Sequence, residues 1–130
     1  MIDASNTALV IEGGGMRNSY TAACMVKLIE EDVDFGWVGG VSAGASHTVN
    51  YLSRDARRAE ESFTDFAKNP SFGGVGSLVR GTGYFNAEYI YERAADKDLP
   101  FDWQAYRDHP ADMVLAAARA CLLYTSPSPR

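Results

Sequence analysis

The residue best placed to do covalent chemistry in this sequence is Ser42, which lies in the segment Gly40-Val41-Ser42-Ala43-Gly44. This segment follows the apolar pair Trp37-Val38, as expected where a buried strand passes into a helix. The pattern Gly-x-Ser-x-Gly is typical of a nucleophile elbow, a sharp turn that tolerates only small residues two positions before and after the serine. We therefore expect Ser42 to present its hydroxyl at the end of a strand, where the next helix begins.

A second motif, Gly13-Gly14-Gly15-Met16-Arg17, directly follows the apolar run 7–11, which is typical of a buried parallel strand. Glycines let backbone N–H groups converge on one point, as the oxyanion of an acyl transfer requires, and Arg17 would add positive charge there. Taken alone, the glycines could also form a plain turn between strand and helix. The serine motif 27 positions after Gly15 favours an oxyanion hole formed by Gly13, Gly14, Gly15 and Arg17.

Phosphate-binding loops are the alternatives for these glycines, and the sequence argues against three of them. A dinucleotide fingerprint requires a glycine where this chain has Asn18, and Asp34 precedes the next strand instead of ending it. A Walker loop requires Gly-Lys-Ser or Gly-Lys-Thr, which the sequence lacks. A kinase loop would need a strand lysine and a His-Arg-Asp segment.

The order strand, Gly-Gly-Gly-x-Arg, helix, strand, Gly-x-Ser-x-Gly, helix resembles the start of a patatin-like phospholipase domain. The resemblance continues through residues 80–86 and 110–114 and spans roughly residues 7–119. It implies a partial three-layer α/β/α fold and a Ser–Asp dyad that hydrolyses lipid esters. Ser42 would be the nucleophile, Gly13 to Gly15 with Arg17 the oxyanion loop, and Gly40, Val41, Ala43 and Gly44 the elbow.

The catalytic base of that family lies in an Asp-Gly-Gly or Asp-Gly-Ala motif, and this sequence has no Asp-Gly dipeptide. A serine hydroxyl needs a base to take its proton. We therefore expect a chain truncated at the C-terminus and nearly inactive, with residues 7–120 as the N-terminal part of the domain. The segment 121–130, which ends in Ser-Pro-Ser-Pro-Arg, is predicted to be a non-native or disordered tail.

Other residues of the chain could in principle substitute for the missing base, but their positions predict other roles. His47 falls five residues along the helix after the elbow and is predicted to be a surface or packing residue, whereas His109 is predicted to lie in a loop. The aspartates are predicted to be surface acids; they are Asp55, Asp65, Asp96, Asp98, Asp102, Asp108 and Asp112.

Apolar spacing and capping signals predict the elements that position the two motifs. Helices are expected over 20–31, with Tyr20, Cys24 and Leu28 as its buried stripe, over 43–53, and over 56–66. A glycine-rich loop should follow over 73–83, and then a helix capped by Asn86. Four aromatic residues, Phe72, Tyr84, Phe85 and Tyr89, are candidates for the walls of an acyl site.

The composition and net charge of the chain limit the classes of molecule that it could bind. The chain is 46% hydrophobic and 22% charged, which is ordinary for a globular domain. A net charge of −5 argues against nucleic acid, and the basic cluster Arg54, Arg57 and Arg58 is explained by helical pairing such as Arg57 with Glu61. Cys24 and Cys121 have neither metal-site nor disulfide spacing, and no metal or cofactor is expected.

The sequence contains neither a signal peptide pattern nor an apolar run of about 20 residues, so we expect a cytoplasmic protein whose membrane contact, if any, is peripheral. The leading hypothesis is a lipid acyl hydrolase whose substrate is a lipid or other acyl ester. The alternative is a non-catalytic α/β module that binds a phosphate or acyl ligand at its glycine loops.

Overall fold

The computed structural model describes residues 1–81, 83–94, 96–119 and 124–128 of the chain, and these form a mixed α/β structure. Four strands form one sheet in the order β1-β2-β3-β4. They are β1 (Ile2–Ile11), β2 (Val33–Val41), β3 (Asp112–Arg119) and β4 (Tyr124–Ser128). The first three strands are parallel, and β4 pairs antiparallel with β3 at the edge.

Five α-helices connect and cover the described strands: α1 (Ser19–Glu30), α2 (Ala43–Leu52), α3 (Ala56–Glu61), α4 (Val75–Val79) and α5 (Trp103–Asp108). The predicted helices over 20–31 and 43–53 are confirmed as α1 and α2, with ends that differ by one residue. The helix predicted over 56–66 is shorter, because α3 ends at Glu61 and a separate 3-10 turn forms at Phe66–Lys68.

The segment predicted as a glycine loop contains the helix α4, so the prediction of an irregular loop over 73–83 is wrong in its centre. Gly74 at φ 131° begins α4, and Gly81 at φ 81° follows it, so the glycines provide the turns at its two ends. The Asn86 side chain accepts a hydrogen bond from the amide of Tyr89 (3.3 Å), as predicted for a cap. The segment that follows, Tyr89–Arg93, has π-helical geometry.

One face of the sheet is packed against α1 and α2, and α3 packs on these two helices. The buried apolar cluster joins strand residues to helix residues; its members are Ile11, Met25, Val38, Tyr51, Leu52, Ala59 and Ala111. The opposite face is open, since Val10 is 73% and Val41 is 42% exposed. The described residues therefore form two layers, and the second helical layer of the predicted three-layer fold is not among them.

The buried stripe predicted for α1 is wrong at Tyr20 and Cys24, whereas Leu28 is partly buried and packs against the core. Tyr20 is 81% exposed and Cys24 is also exposed, whereas Ala22 and Met25 are buried. The helix is rotated by about one residue from the predicted phase, so that its buried row runs through Ala22 and Met25 at i, i+3 spacing. Small and flexible apolar side chains thus meet the sheet, and the larger tyrosine remains in solvent.

The predicted tail falls partly outside the described residues. Residues 120–123, 129 and 130 are not described, and residues 124–128 form β4. Within β4, Pro127 pairs with Ala116, a position compatible with an edge strand because proline cannot donate a ladder hydrogen bond.

The register of the parallel strands brings the two glycine motifs together. Ile11, the last residue of β1, pairs with Gly40 in β2. The chain therefore leaves both strands at the same edge of the sheet, into residues 13–15 after β1 and into Ser42 after β2. This edge is the carboxyl end of the strands, where ligand sites of parallel α/β sheets lie.

Candidate active site

Ser42 has the backbone geometry expected of an elbow. It immediately precedes α2 and adopts φ 56° and ψ −126°, a region that residues with a side chain rarely occupy. Its side chain is exposed and makes no capping hydrogen bond. The strained backbone thus holds a hydroxyl that has no hydrogen-bond partner among the described residues.

Gly40 and Gly44 are required by the close packing around this turn. A Cβ on Gly40 would overlap the carbonyl of Gly44 and would lie 2.7 Å from Thr48 Oγ1. A Cβ on Gly44 would overlap the carbonyl of Ile11 and would lie 2.7 Å from the carbonyl oxygen of Glu12. The small residues of the motif therefore let α2 start directly against both strands.

The glycine loop lies against Ser42. A Cβ built on Gly13 would be 3.0 Å from Ser42 Cβ and 3.6 Å from Ser42 Oγ, so the two backbones approach as closely as they can. Gly14 at φ 154° and Gly15 at φ 56° turn the chain sharply after β1. The amides of Gly14 and Gly15 have no backbone acceptor among the described residues, and the Ala43 amide is one of the free donors at the start of α2.

Arg17 occupies the other side of the loop. It lines a shallow recess of about 280 Å³ together with Glu12, Gly13 and Gly14. Ser42 and Gly15 line a different and larger cavity instead. The structure therefore brings Gly13 into contact with Ser42 and Gly15 into the same cavity wall. Gly14 lies beside the Arg17 side chain, which does not line that cavity.

His47 joins the two motifs, a role that the sequence did not indicate. It is fully buried, its Nε2 donates a hydrogen bond to the backbone carbonyl of Asn18 (2.9 Å), and its ring stacks on Phe63 at 4.2 Å. Burial lowers the pKa of His47 below its usual 6.5, so the neutral ring is favoured. Of the two roles predicted for it, surface and packing, His47 has the packing one.

The larger cavity, of about 560 Å³, opens beside Ser42 and is mainly apolar. Ten apolar or aromatic side chains form much of its wall: Phe63, Phe66, Phe72, Phe85, Ile90, Leu99, Phe101, Trp103, Tyr106 and Leu115. Phe72 and Phe85 were predicted as wall residues, whereas Tyr84 and Tyr89 are not among the lining residues. The Tyr89 hydroxyl instead donates to Asp98 (2.5 Å), a contact that, with desolvation as the larger cause, raises its pKa to about 12.

One part of the cavity wall is polar. Asn50 and Ser62 line it, with a hydrogen bond of 3.2 Å from Asn50 Nδ2 to Ser62 Oγ. Arg58 lines it as well and donates to the side-chain oxygen of Asn50. Arg58 is the one charged side chain in the described cavity wall. This polar group lies on the α2 side of the cavity, since Asn50 belongs to that helix.

No described residue of the cavity wall is an aspartate, glutamate or histidine. Asp112 pairs with Trp37 in β2, and Trp37 lies five residues before Ser42. Asp112 and Ser42 are therefore about 16 Å apart along the strand direction. His109 is three residues further from that edge, buried beside Tyr51. Asp55 and Asp102 accept backbone hydrogen bonds as helix caps.

In the described parts of the chain, no group of three His, Cys, Asp or Glu side chains is placed to hold a metal ion. None of the described helices combines the length and the apolar composition needed to cross a membrane. Comparison of the chain with protein-family models, with curated proteins and with solved structures found no match.

Proposed function

We propose that this protein is a serine acyl hydrolase of the patatin-like phospholipase type, which acts on lipid esters from the cytoplasm through peripheral contact with lipid surfaces. The observation that carries the proposal is the approach of Gly13 to Ser42, with 3.0 Å between a Cβ built on the glycine and the Cβ of the serine. A nucleophile elbow beside a glycine loop is what acyl transfer requires of a protein.

In the proposed reaction, Ser42 Oγ attacks the ester carbonyl while hydroxide from solvent takes its proton, since no base lines the described cavity wall. The amides of Gly13, Gly14 and Gly15, together with that of Ala43, are the donors proposed for the oxyanion of the tetrahedral intermediate. Collapse of the intermediate expels the alcohol, which takes up a proton, and leaves an ester of Ser42. Water then attacks this ester, releases the fatty acid and restores the serine.

The mainly apolar cavity beside Ser42 supports the choice of a lipid acyl group. Its volume of about 560 Å³ falls in the range of small-molecule sites, and its wall carries seven aromatic side chains. An acyl chain in this cavity would leave water and contact phenylalanine and leucine side chains. Burial of each methylene is worth about 0.8 kcal/mol, so chain length should govern affinity.

Covalent labelling of Ser42 by a fluorophosphonate tests the proposal. We expect one adduct, located on Ser42 by mass spectrometry and absent in Ser42→Ala. Ser46→Ala is the control, because Ser46 lines the same cavity one helical turn further on, and this variant should still form the adduct. No base lines the described cavity wall. The adduct should therefore form faster at pH 9, where hydroxide can replace the base, than at pH 7. Equal labelling of Ser42→Ala, or no adduct at either pH, would contradict the enzyme proposal.

A non-catalytic module that binds an acyl or phosphate ligand is the second candidate, and the lack of an acid or histidine in the described cavity wall favours it. A serine without its base turns over about 10⁴-fold to 10⁶-fold more slowly than the complete serine–base pair. Binding of a fatty acid with unchanged affinity in Ser42→Ala, combined with no hydrolysis of p-nitrophenyl esters above that variant, would support the module. Hydrolysis that disappears in Ser42→Ala would support the enzyme.

A further inference from the structure

We propose that Arg58 makes the cavity selective for acyl ligands that carry a carboxylate at the end remote from the ester. This inference rests on the proposed function, because it takes Ser42 as the position of the ester. It adds the chemical class of the acyl group, which neither the elbow nor the glycine loop specifies.

Arg58 is held in place in the cavity wall. Its Nε donates to the carbonyl of Leu99 (3.3 Å), and its Nη1 donates to Asn50 Oδ1. The guanidinium carbon lies 4.9 Å above the centre of the Phe101 ring. A cation fixed on three sides in this way does not need to be ordered when a ligand arrives.

The charge of Arg58 is not neutralised by the described residues. No described carboxylate lies within 4.0 Å of it, since the described ion pairs involve other cations, and its two acceptors are neutral oxygens. Asp55 acts on it only at longer range, because that carboxylate caps α3 by accepting from the Arg58 amide. A partly buried cation with neutral partners gains most from an anion.

Donors of Arg58 remain available for such an anion. A guanidinium has five N–H donors, and the described side-chain bonds of Arg58 use two of them. None of its nitrogen atoms is a buried group without a partner. The unused N–H groups can therefore reach a ligand in the cavity that Arg58 lines.

The helix α2 sets the distance between the two ends of the site. Asn50, which holds Arg58, is eight residues after Ser42, and α2 connects them. At 1.5 Å per residue the separation along the helix axis is about 12 Å. This length suits a straight chain of medium length with the ester at one end and the carboxylate at the other.

Binding of two ligands of equal length tests the inference. The monomethyl ester of decanedioic acid carries the carboxylate, and methyl decanoate lacks it. We expect the full chain to bind the carboxylated ester at least about tenfold more tightly. Binding is followed by the change in tryptophan fluorescence, since Trp103 lines the cavity and Trp37, the other tryptophan, does not. Arg58→Gln should remove this preference and leave the affinity for methyl decanoate within about twofold.

Arg57→Gln is the matched control. Arg57 is the neighbouring arginine on α3, exposed and paired with Glu61 at 2.7 Å, and it does not line the cavity. The Arg57→Gln variant should keep the preference for the carboxylated ester. Equal loss in both variants would show an effect of overall charge and would overturn the inference.

Asn50→Asp keeps the inference testable if Arg58→Gln does not fold. The substitution is nearly isosteric and places a carboxylate beside the Arg58 guanidinium. This carboxylate would neutralise Arg58 and so replace the carboxylate of the ligand. The preference should fall at least about tenfold while Arg58 stays in place. A wild-type chain that binds both esters equally, or an Asn50→Asp variant with an unchanged preference, would overturn the inference. Labelling of Ser42 would be unaffected by either result, so the proposed function is tested separately.

Discussion

His47 and Asn18 tie the helix after the elbow to the turn after the glycine loop, through a hydrogen bond of 2.9 Å between Nε2 and the backbone carbonyl. Both residues are buried, and His47 lies on α2, five positions after Ser42. Within the described structure, this contact holds together the two segments that leave the same edge of the sheet. Because Nε2 must carry the proton to donate, Nδ1 is unprotonated, and it has no described partner.

The burial of His47 in this contact predicts that the free energy of unfolding depends on pH. Burial lowers the pKa of His47 in the folded state below the value of 6.5 that it has when exposed. Between these two values the unfolded chain binds more protons, so the free energy of unfolding falls as the pH decreases from about 6.5 through the lowered pKa. Urea unfolding at pH 7.5 and pH 5.5 should show a lower midpoint at pH 5.5.

The control for this prediction is His47→Gln, which keeps an amide donor and cannot titrate. Its loss of stability between pH 7.5 and pH 5.5 should be smaller than that of the wild type. An equal pH dependence in the two proteins would exclude His47 as its source.

Ser42 should be destabilising for the fold. At φ 56° a side chain costs about 1 to 2 kcal/mol relative to glycine, and the Ser42 hydroxyl does not cap α2. We expect Ser42→Gly to raise the free energy of unfolding above that of Ser42→Ala by about 1 kcal/mol, while both variants lose fluorophosphonate labelling. A Ser42→Gly variant that unfolds more easily than Ser42→Ala would show that this backbone geometry is not strained.

Gly44→Ala tests the close packing at the elbow. The added Cβ would overlap the carbonyl of Ile11, and the shift needed to accommodate it should destabilise the protein by about 1 to 3 kcal/mol. Gly76→Ala is the control, because its Cβ would meet only Arg80 Nη1 at 3.4 Å on the exposed helix α4. Gly76→Ala should be neutral or slightly stabilising, and equal effects at the two positions would contradict the packing argument.

Tyr51 connects α2 to the start of β2. Its buried hydroxyl donates to the carbonyl of Val33 (2.5 Å) and accepts from the amide of Phe35 (3.3 Å). Tyr51→Phe leaves the Phe35 amide without this acceptor and should reduce the free energy of unfolding by about 1 to 2 kcal/mol. The exposed Tyr20 provides the comparison: a Tyr20→Phe variant that is as unstable as Tyr51→Phe would refute this role of the hydroxyl.

The sequence predicted the features of the fold that depend on short segments. The positions of α1 and α2, the strand before each glycine motif and the turn at Ser42 follow from local glycine and apolar patterns, and the structure confirms them. The phase of α1 was wrong because Tyr20, Cys24 and Leu28 also repeat at helical spacing, and only contact with the sheet decides which row is buried. Helix α5 went unpredicted, although Asp102 caps it through the amides of Gln104 and Ala105.

The polar contacts of the site could not be predicted, since they join residues that are far apart in the chain. The bonds from His47 to Asn18 and from Arg58 to Leu99 span 29 and 41 residues. Arg57 and Arg58 look alike as neighbours in a charged helix, and the predicted pairing of Arg57 with Glu61 is confirmed at 2.7 Å. That Arg58 instead enters the cavity depends on the packing of α3 against α2 and on the path of the chain around Leu99.

The open face of the sheet governs how this protein behaves in solution at high concentration. Val10 and Val41 offer apolar surface to any neighbouring molecule, and an uncovered patch of this kind promotes adhesion to hydrophobic resins, to air–water interfaces and to other copies of the chain. Colloidal stability should therefore improve when Val10, on the face of the sheet that the helices leave open, is replaced by threonine or lysine. Crystallisation and spectroscopy would both benefit from such a surface.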